Sequence, residues 1–551
     1  MIRRRSLLTI TALIGASTVL TINSPVTTAK ANKQFDLTYR GSYDPTTRGA
    51  EIVTVDPASR RMFIAAGNRI DIVNISDITA PVLVTSVSMA PYGSDVTSVS
   101  VRNGVVAAAS INSLKENPGK VVFFDLDGEF LSAVEVGAVP DMVAHSPDGM
   151  KLAVANEGEP RCAGTTYVDP EGSISIIDLS GPATEYNNND VAFATFDAYD
   201  GREDELRADD IRIFGLGVDA SHDLEPESVT FAPNGRTVYS SLQENNAFAT
   251  IDVATATVTS ITSFGYKDHA LAGNGLDPSD RDGSGNNPGL SPNIGNWPVM
   301  GMYQPDTIDA FHSRGSTYIA TANEGDSRGD YGTCGGNEEA RGSELAAAGY
   351  SITGQPADLL TNNDKLSRIQ GTNKFPLPAP GAVPSMYAFG ARSMSIWNAD
   401  TGTQVFDSGD FIERHIAAQA PTVFNANFGK SVAEGYDTRS DNKGPEPEGL
   451  VVGKFDGRTL VFVGLERANG IMFWDATDPS KPAFQEWERQ VTYGATPTGD
   501  LAPEGLTFVP AEQSWTGAPL VIVAHEADQP GGALQTRTSI YELSVTTTGN
   551  R

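Results

Sequence analysis

Strand-like runs recur along this chain in groups of four, and a repeat of that kind limits the possible folds more than any single motif. Turn signals such as Pro147-Asp148-Gly149, Pro233-Asn234-Gly235 and Asp456-Gly457 punctuate the runs. The groups cover residues 51–87, 96–136, 142–196, 228–264, 307–406 and 449–488. A seventh group supplies only three runs, at 505–509, 520–524 and 538–545, while one run, 35–42, is left over near the start. Phe35, Leu37 and Tyr39 alternate with polar neighbours there, as a half-buried strand requires. The pattern predicts an all-β, seven-bladed β-propeller closed by its N-terminal strand. Closure would also remove the exposed sheet edges.

Three stretches break the period and predict insertions in the middle blades. Residues 265–302 are rich in Gly, Asn, Asp and Pro and show no strand pattern; 331–384 include helix-like 337–348 and 356–370; 408–445 include helix-like 410–419. The remainder, 32–551, reads as one domain of a chain of 551 residues. Residues 1–31 read as an export signal: Arg3-Arg4-Arg5, a mildly apolar run, then Ala29-Lys30-Ala31 as a small-x-small cleavage site. Arg4-Arg5-Ser6-Leu7-Leu8 fits the twin-arginine pattern, with the general secretory route as the alternative. No other run approaches the ~18 apolar residues of a membrane span. A periplasmic or extracellular monomer is expected. The formal charge of −30 repels nucleic acid and anionic lipid and suits cations.

Within the groups a Pro-acid step opens the first run and a second acid follows the next. Asp141 pairs in this way with Glu157, Glu227 with Glu244, Asp306 with Glu324, Glu448 with Glu466, and Glu504 with Glu526. Asp95 and Asn112 form a weaker pair, and Glu51 has no acid partner. In an antiparallel pair the start of one strand lies beside the end of the next, so both acids fall at one end of each blade. Glu159, Glu225, Asp326 and Glu446 add to that mouth. So many carboxylates cannot all stay ionised without compensating cations. Hard oxygen ligands favour Ca²⁺ ahead of Mg²⁺ or Mn²⁺. Arg161, Arg328, Arg467 and Arg392 enter the same loops, and arginine beside metal-held carboxylates suits phosphate.

These words resemble those of the choice-of-anchor I family, secreted propellers that include mesenchyme-specific cell-surface glycoproteins and bacterial members labelled alkaline phosphatases. The matching stretches are His222-Asp223-Leu224-Glu225-Pro226-Glu227-Ser228, Leu276-Asp277-Pro278-Ser279-Asp280-Arg281-Asp282-Gly283, Ala322-Asn323-Glu324-Gly325-Asp326-Ser327-Arg328 and Arg439-Ser440-Asp441-Asn442-Lys443-Gly444-Pro445-Glu446-Pro447-Glu448-Gly449. The Glu-Pro-Glu steps are also locally similar to those of phytase-like propellers. The resemblance implies a metal-dependent phosphoesterase acting on a small phosphorylated substrate. Its rival is a non-catalytic surface, adhesion or matrix protein with structural Ca²⁺ and an extracellular surface component as partner. Family members often carry a C-terminal anchor; this chain stops soon after its last strand, which predicts none of its own.

In the phosphoesterase reading Arg328 and Arg467 grip phosphate, while His222 and His525 serve as proton donors. The scattered histidines form no zinc-helix pair. Asp277, Asp280 and Asp282 offer one further Ca²⁺ loop, broken from the EF-hand pattern by Pro278. Cys162 and Cys334, the only cysteines, follow matched acidic words and are a disulfide candidate, although their blades are not neighbours.

Overall fold

The structure, a computed structural model, describes residues 33–45, 50–213, 219–282, 292–329, 334, 336–527 and 536–547. The export signal at 1–31 lies outside the described residues. The chain is all-β and built from many small antiparallel sheets. Six of the four-stranded sheets follow chain order, each a simple meander. They begin with Val53–Asp56, Asp95–Arg102, Pro140–His145, Pro226–Phe231, Ile308–Ser313 and Pro447–Phe455. A further four-stranded sheet takes three strands from the C-terminal end, Pro503–Val509, Leu520–His525 and Arg537–Thr547, and its fourth, Lys33–Tyr43, from the other end.

That last pairing is antiparallel and in the register the alternation demands. Phe35 lies opposite Val545, Leu37 opposite Leu543 and Tyr39 opposite Tyr541. Phe35 and Leu37 point into an apolar cluster shared with Phe462, Phe473 and Val523, while Asp36 and Thr38 face away. The same packing recurs between every consecutive pair of these sheets. Each interface holds its own cluster: Phe63 and Val122 join the first two sheets, Phe123 and Leu152 the next two, Ile174 and Phe231 the third and fourth. Tyr239 and Trp397 join the fourth and fifth, Met394 and Val461 the fifth and sixth, and Ile64 and Ile522 the last and first. The strands that open the sheets run side by side in the same cyclic order.

The insertions depart from the expected local structure. Residues 265–302 contain strands after all. Tyr266–Asp268 and Val299–Met302 join Met386–Ala388, Gln370–Thr372 and Glu339–Arg341 in a five-stranded sheet, with Val299–Met302 and Met386–Ala388 parallel. Short strands bound by Gly and Pro carry too little alternation to be read locally. Within the fifth group, Met386–Ala388 and Ser393–Asn398 are separate strands, because Gly390 and Arg392 are left-handed (φ 73° and 54°) and divert Ser393–Asn398 into the fifth four-stranded sheet. Helix 337–348 shortens to Gly342–Ala347, its first residues being drawn into strand pairing with Gln370–Thr372.

Residues 356–370 form turns rather than a helix. There the Asp358 carboxylate binds Lys365 and Asn362, a side-chain alternative to helical bonding. Helix Phe411–Gln419 forms where expected and buries Ile412 and Ile416.

Cys162 and Cys334 are bonded, with Cα atoms 5.7 Å apart. The hairpin of Arg161–Ala163 and Thr166–Val168 carries Cys162 away from the third four-stranded sheet to meet Cys334 in the second insertion.

If the terminal strand is structural, Phe35→Ala removes a fully buried ring at the seam and should cost about 3–5 kcal/mol. Chemical denaturation measures it; a change under about 1 kcal/mol would mean that the seam carries little of the stability.

Candidate metal centre

The Pro-acid steps have a common backbone cause. The residue before the proline is left-handed at Val139, Gln304, Glu446 and Ala502 (φ 47°, 40°, 50° and 52°). Its carbonyl accepts the N–H that follows the neighbouring strand: Glu157 to Val139 at 2.9 Å, Gly325 to Gln304 at 3.0 Å, Glu466 to Glu446 at 2.8 Å and Glu526 to Ala502 at 3.0 Å. A β-bulge comes directly after the proline, between Pro140 and Val143, Pro226 and Val229, Pro447 and Leu450, and Pro503 and Leu506. A bulge re-aims a side chain, and here it turns the acid away from the sheet face. The fourth sheet reaches the same end differently, with Asn245 Oδ1 accepting the Glu225 N–H at 3.1 Å.

The result is a cavity of about 700 Å³ lined by the opening strand of all seven sheets. Glu51, Asp141, Glu227, Asp306, Glu324, Asp326, Glu448, Glu504 and Glu526 line it. A smaller one, about 300 Å³, adjoins through Glu227 and Asp326 and adds Glu157, Glu159, Glu244, Arg439 and Lys443. Asp95 lines neither. Three triads bring one oxygen of each member within 4.8 Å of the others: Glu157, Glu225 and Glu244; Asp306, Glu324 and Glu448; Glu324, Glu446 and Glu466.

The predicted basic groups divide. Arg328 is buried, with Nη1 2.6 Å from Asp223 and Nη2 3.2 Å from Glu225. Arg467 donates to Glu446 at 3.1 Å and lies 2.9 Å from Glu466, over the Phe428 ring. Arg161 is taken by Glu116, and Arg392 by Glu413 beneath the insertions, so neither stands at the mouth. His525 is fully buried and faces Asp500 at 3.6 Å, away from both cavities; burial lowers its pKa. It is not placed to donate a proton to a group in the cavity. His222 sits on the short helix Ala220–Asp223 beside Ser221 and lines neither cavity.

Sequence reasoning missed two cations, Lys443 and Arg439. Lys443 Nζ lies 2.5 Å from Glu324, 3.6 Å from Glu446 and 3.7 Å from Asp326, while Arg439 donates to Glu446. The signal was available: Lys443 stands three residues before Glu446 in a word already singled out for its acids.

Charge balance therefore differs across the site. Burial opposes ionisation of Glu446, but Arg439, Lys443 and Arg467 outweigh it and hold the carboxyl down at about 2. Elsewhere burial wins. It raises Asp141 to about 7 with Glu159 adding repulsion, Glu244 to about 7 and Glu466 to about 8. Burial and neighbouring acids likewise push Glu227, Asp306, Glu448 and Glu504 well above the carboxylate range. Glu225, Glu227, Glu244, Glu448 and Glu504 each bury an oxygen without a hydrogen-bond partner. Buried acceptors of this kind are costly unless satisfied, and a hard cation satisfies them. This donor set fits Ca²⁺.

Carboxyls whose folded pKa is raised stabilise the protein at low pH, and that contribution fades as pH rises from about 4.5 through about 8. Chelator-treated protein should therefore melt at a lower temperature at pH 8 than at pH 5.5. Calorimetry showing the opposite slope would mean that these acids are not buried together.

Residues 51–479 match the Choice-of-anchor I domain. The chain is 32% identical to Gigasin-3a of Magallana gigas over 155 residues, which is 26% of this chain and 55% of that protein. It is 30% identical to the Mesenchyme-specific cell surface glycoprotein of Strongylocentrotus purpuratus over 212 residues, 33% of this chain and 27% of that one. The chain thus spans about half, or less, of the curated relatives it matches. Hydrazine synthase of Kuenenia stuttgartiensis aligns with 92% of this chain and 97% of its own at 12% identity and a TM-score of 0.42, a likeness too weak to bear on function.

Proposed function

The chain belongs to the choice-of-anchor I family, and on that premise we propose that it is an extracellular surface or matrix protein whose scaffold is a seven-bladed β-propeller with structural Ca²⁺ at its acidic mouth. The protein is an exported one: its family, and a relative named as a cell surface glycoprotein, place it outside the cell. Among the described residues no helix is long and apolar enough to cross a membrane. The propeller reading draws on the cyclic order of the opening strands, the apolar cluster at each sheet interface, and the pairing of the two chain ends.

The observation that carries the non-catalytic reading is where the cations go. Arg328, Arg467, Arg439 and Lys443 are all engaged by carboxylates, so none points an unspent charge at a phosphate. Five carboxylate oxygens, by contrast, are buried without a partner. The site is built to receive positive charge rather than a phosphoryl group. Ca²⁺ bound at the mouth would tie neighbouring blades together, because each triad draws on more than one sheet. The phosphoesterase reading rests on the resemblance and on arginines beside the acids, and those arginines are already paired.

Two measurements separate the readings. Ca²⁺ should raise the melting temperature, since a ligand of the folded state adds RT ln(1 + [L]/Kd), about 2.7 kcal/mol at a hundredfold excess over Kd. Glu448→Gln with Glu504→Gln should remove the mouth's share of that increment. Aryl phosphate and phytate should release no phosphate with Ca²⁺ or with chelator. Turnover that needs Ca²⁺ and is lost in Arg467→Gln would establish the phosphoesterase instead.

A further inference from the structure

A second carboxylate cluster lies outside the mouth and lines neither cavity. Asp277 and Asp282 come from the first insertion and Asp437 from the third, more than 150 residues later. One oxygen from each lies within 4.8 Å of the others, and all three side chains are buried. Asp280, the third acid of the sequence motif, is not among them; Arg368 takes it at 2.7 Å. Chain proximity alone would have chosen the wrong triad.

The polar inventory of this pocket does not close. Asp277 accepts backbone N–H groups from Ser279 and Asn293, at 3.2 and 2.6 Å, and Asp437 Oδ1 accepts the Ser440 hydroxyl at 2.6 Å. Asp282, 6% exposed, has the Asn293 side chain and Asp277 beside it, and Oδ2 of Asp437, 1% exposed, has no hydrogen-bond partner. The same holds for the adjoining Glu413 Oε2 and Asn425 Oδ1, at 1% and 0% exposure. Asn425 links the two groups, donating to Glu413 Oε1 at 2.7 Å and to Ser440 Oγ at 2.8 Å. The guanidinium of Arg392 is spent on Glu413 and on backbone carbonyls of Asp277, Ser440 and Asn442.

Four acids thus meet one arginine in a buried, all-oxygen pocket. Orphaned buried oxygens are rare in folded proteins and ask for an unseen partner. The donor side chains at hand, Ser440, Asn425 and Arg392, are already spent on other oxygens, and nitrogen or sulfur ligands are missing from the set, which argues against zinc. Carboxylates with an amide oxygen, spread over nearly 5 Å, match the 2.3–2.6 Å bonds and the flexible geometry of calcium.

We propose that Asp277, Asp282 and Asp437 bind a Ca²⁺ ion, separate from the mouth, that bolts the first insertion to the third. Glu413 Oε2 and Asn425 Oδ1 are the further oxygens within its pocket wall. Extracellular modules bind calcium at about 10⁻⁴–10⁻³ M, so the bolt is closed outside the cell and open before export.

The test uses the whole protein after chelation and dialysis. Calorimetric titration with Ca²⁺ should find one equivalent fewer in Asp282→Asn with Asp437→Asn than in wild type, whereas Glu448→Gln with Glu504→Gln keeps that equivalent. Wild-type hydrogen exchange, with and without Ca²⁺, guards against a variant that fails to fold. Ca²⁺ should slow exchange in 276–282 and 425–440 by about tenfold or more, in wild type and in the mouth variant alike. Equal Ca²⁺ stoichiometry in wild type and the Asp282/Asp437 variant overturns the site. So does exchange in those two segments that ignores Ca²⁺.

Discussion

The pairing of Lys33–Tyr43 with Arg537–Thr547 joins the two ends of the chain in one sheet, and the packing of its neighbours continues from it. Each four-stranded sheet is too small to bury its own faces, and each leans on two neighbours through an apolar cluster. Without the terminal strand, the last sheet would lose Phe35 and Leu37 from the cluster it shares with Phe462 and Phe473. The cavity is lined by the opening strands of all seven sheets, and these strands run side by side in cyclic order.

On that frame the acids are aimed by backbone, not by side-chain packing. A left-handed residue, a proline and a bulge recur at the head of the third, sixth and seventh sheets, and the left-handed residue costs stability at each position where it is not glycine. Val139 and Ala502 show that the strain is accepted even where the side chain does nothing at the mouth. What the turn secures is the neighbouring acid: its proline ends the preceding segment, and its bulge swings Asp141, Glu448 or Glu504 into the cavity. Strain of this sort concentrates where position matters, which is consistent with a site rather than a decorated rim.

The strand groups were readable from sequence because period-two alternation and Pro-Asp-Gly turns are local signals. The missing strand of the last group and the spare run at Phe35 could be matched by counting. The carboxylate pairs were readable for the same reason, since antiparallel geometry alone places the start of one strand beside the end of the next. The insertions were not, because their structure is decided by distant partners: Glu339–Arg341 becomes a strand only through Gln370–Thr372. The same applies to charge. Arg328 and Arg467 could be read as free to grip an anion until their carboxylate partners were placed, and Lys443 went unremarked amid acids it helps to neutralise. Sequence names the charged groups near a site; only the fold says which are already spent.

That distinction also separates the two acidic clusters. At the mouth, one corner is self-sufficient: Arg439, Lys443 and Arg467 converge on Glu446 and hold it ionised. Around Glu227, Asp306, Glu448 and Glu504 burial and the neighbouring acids win and push the carboxyls well above the carboxylate range. Under the insertions, Arg392 balances only Glu413, and the aspartates beside it are left with one another. At the mouth fixed cations meet Glu225, Glu324, Glu446 and Glu466, while oxygens of Glu227, Glu448 and Glu504 stay without a hydrogen-bond partner; under the insertions Arg392 meets Glu413 alone. In a chain of net charge −30, acids buried in this way either stay neutral or take a cation, and on the Ca²⁺ reading proposed above the fold would respond to the cation content of its surroundings.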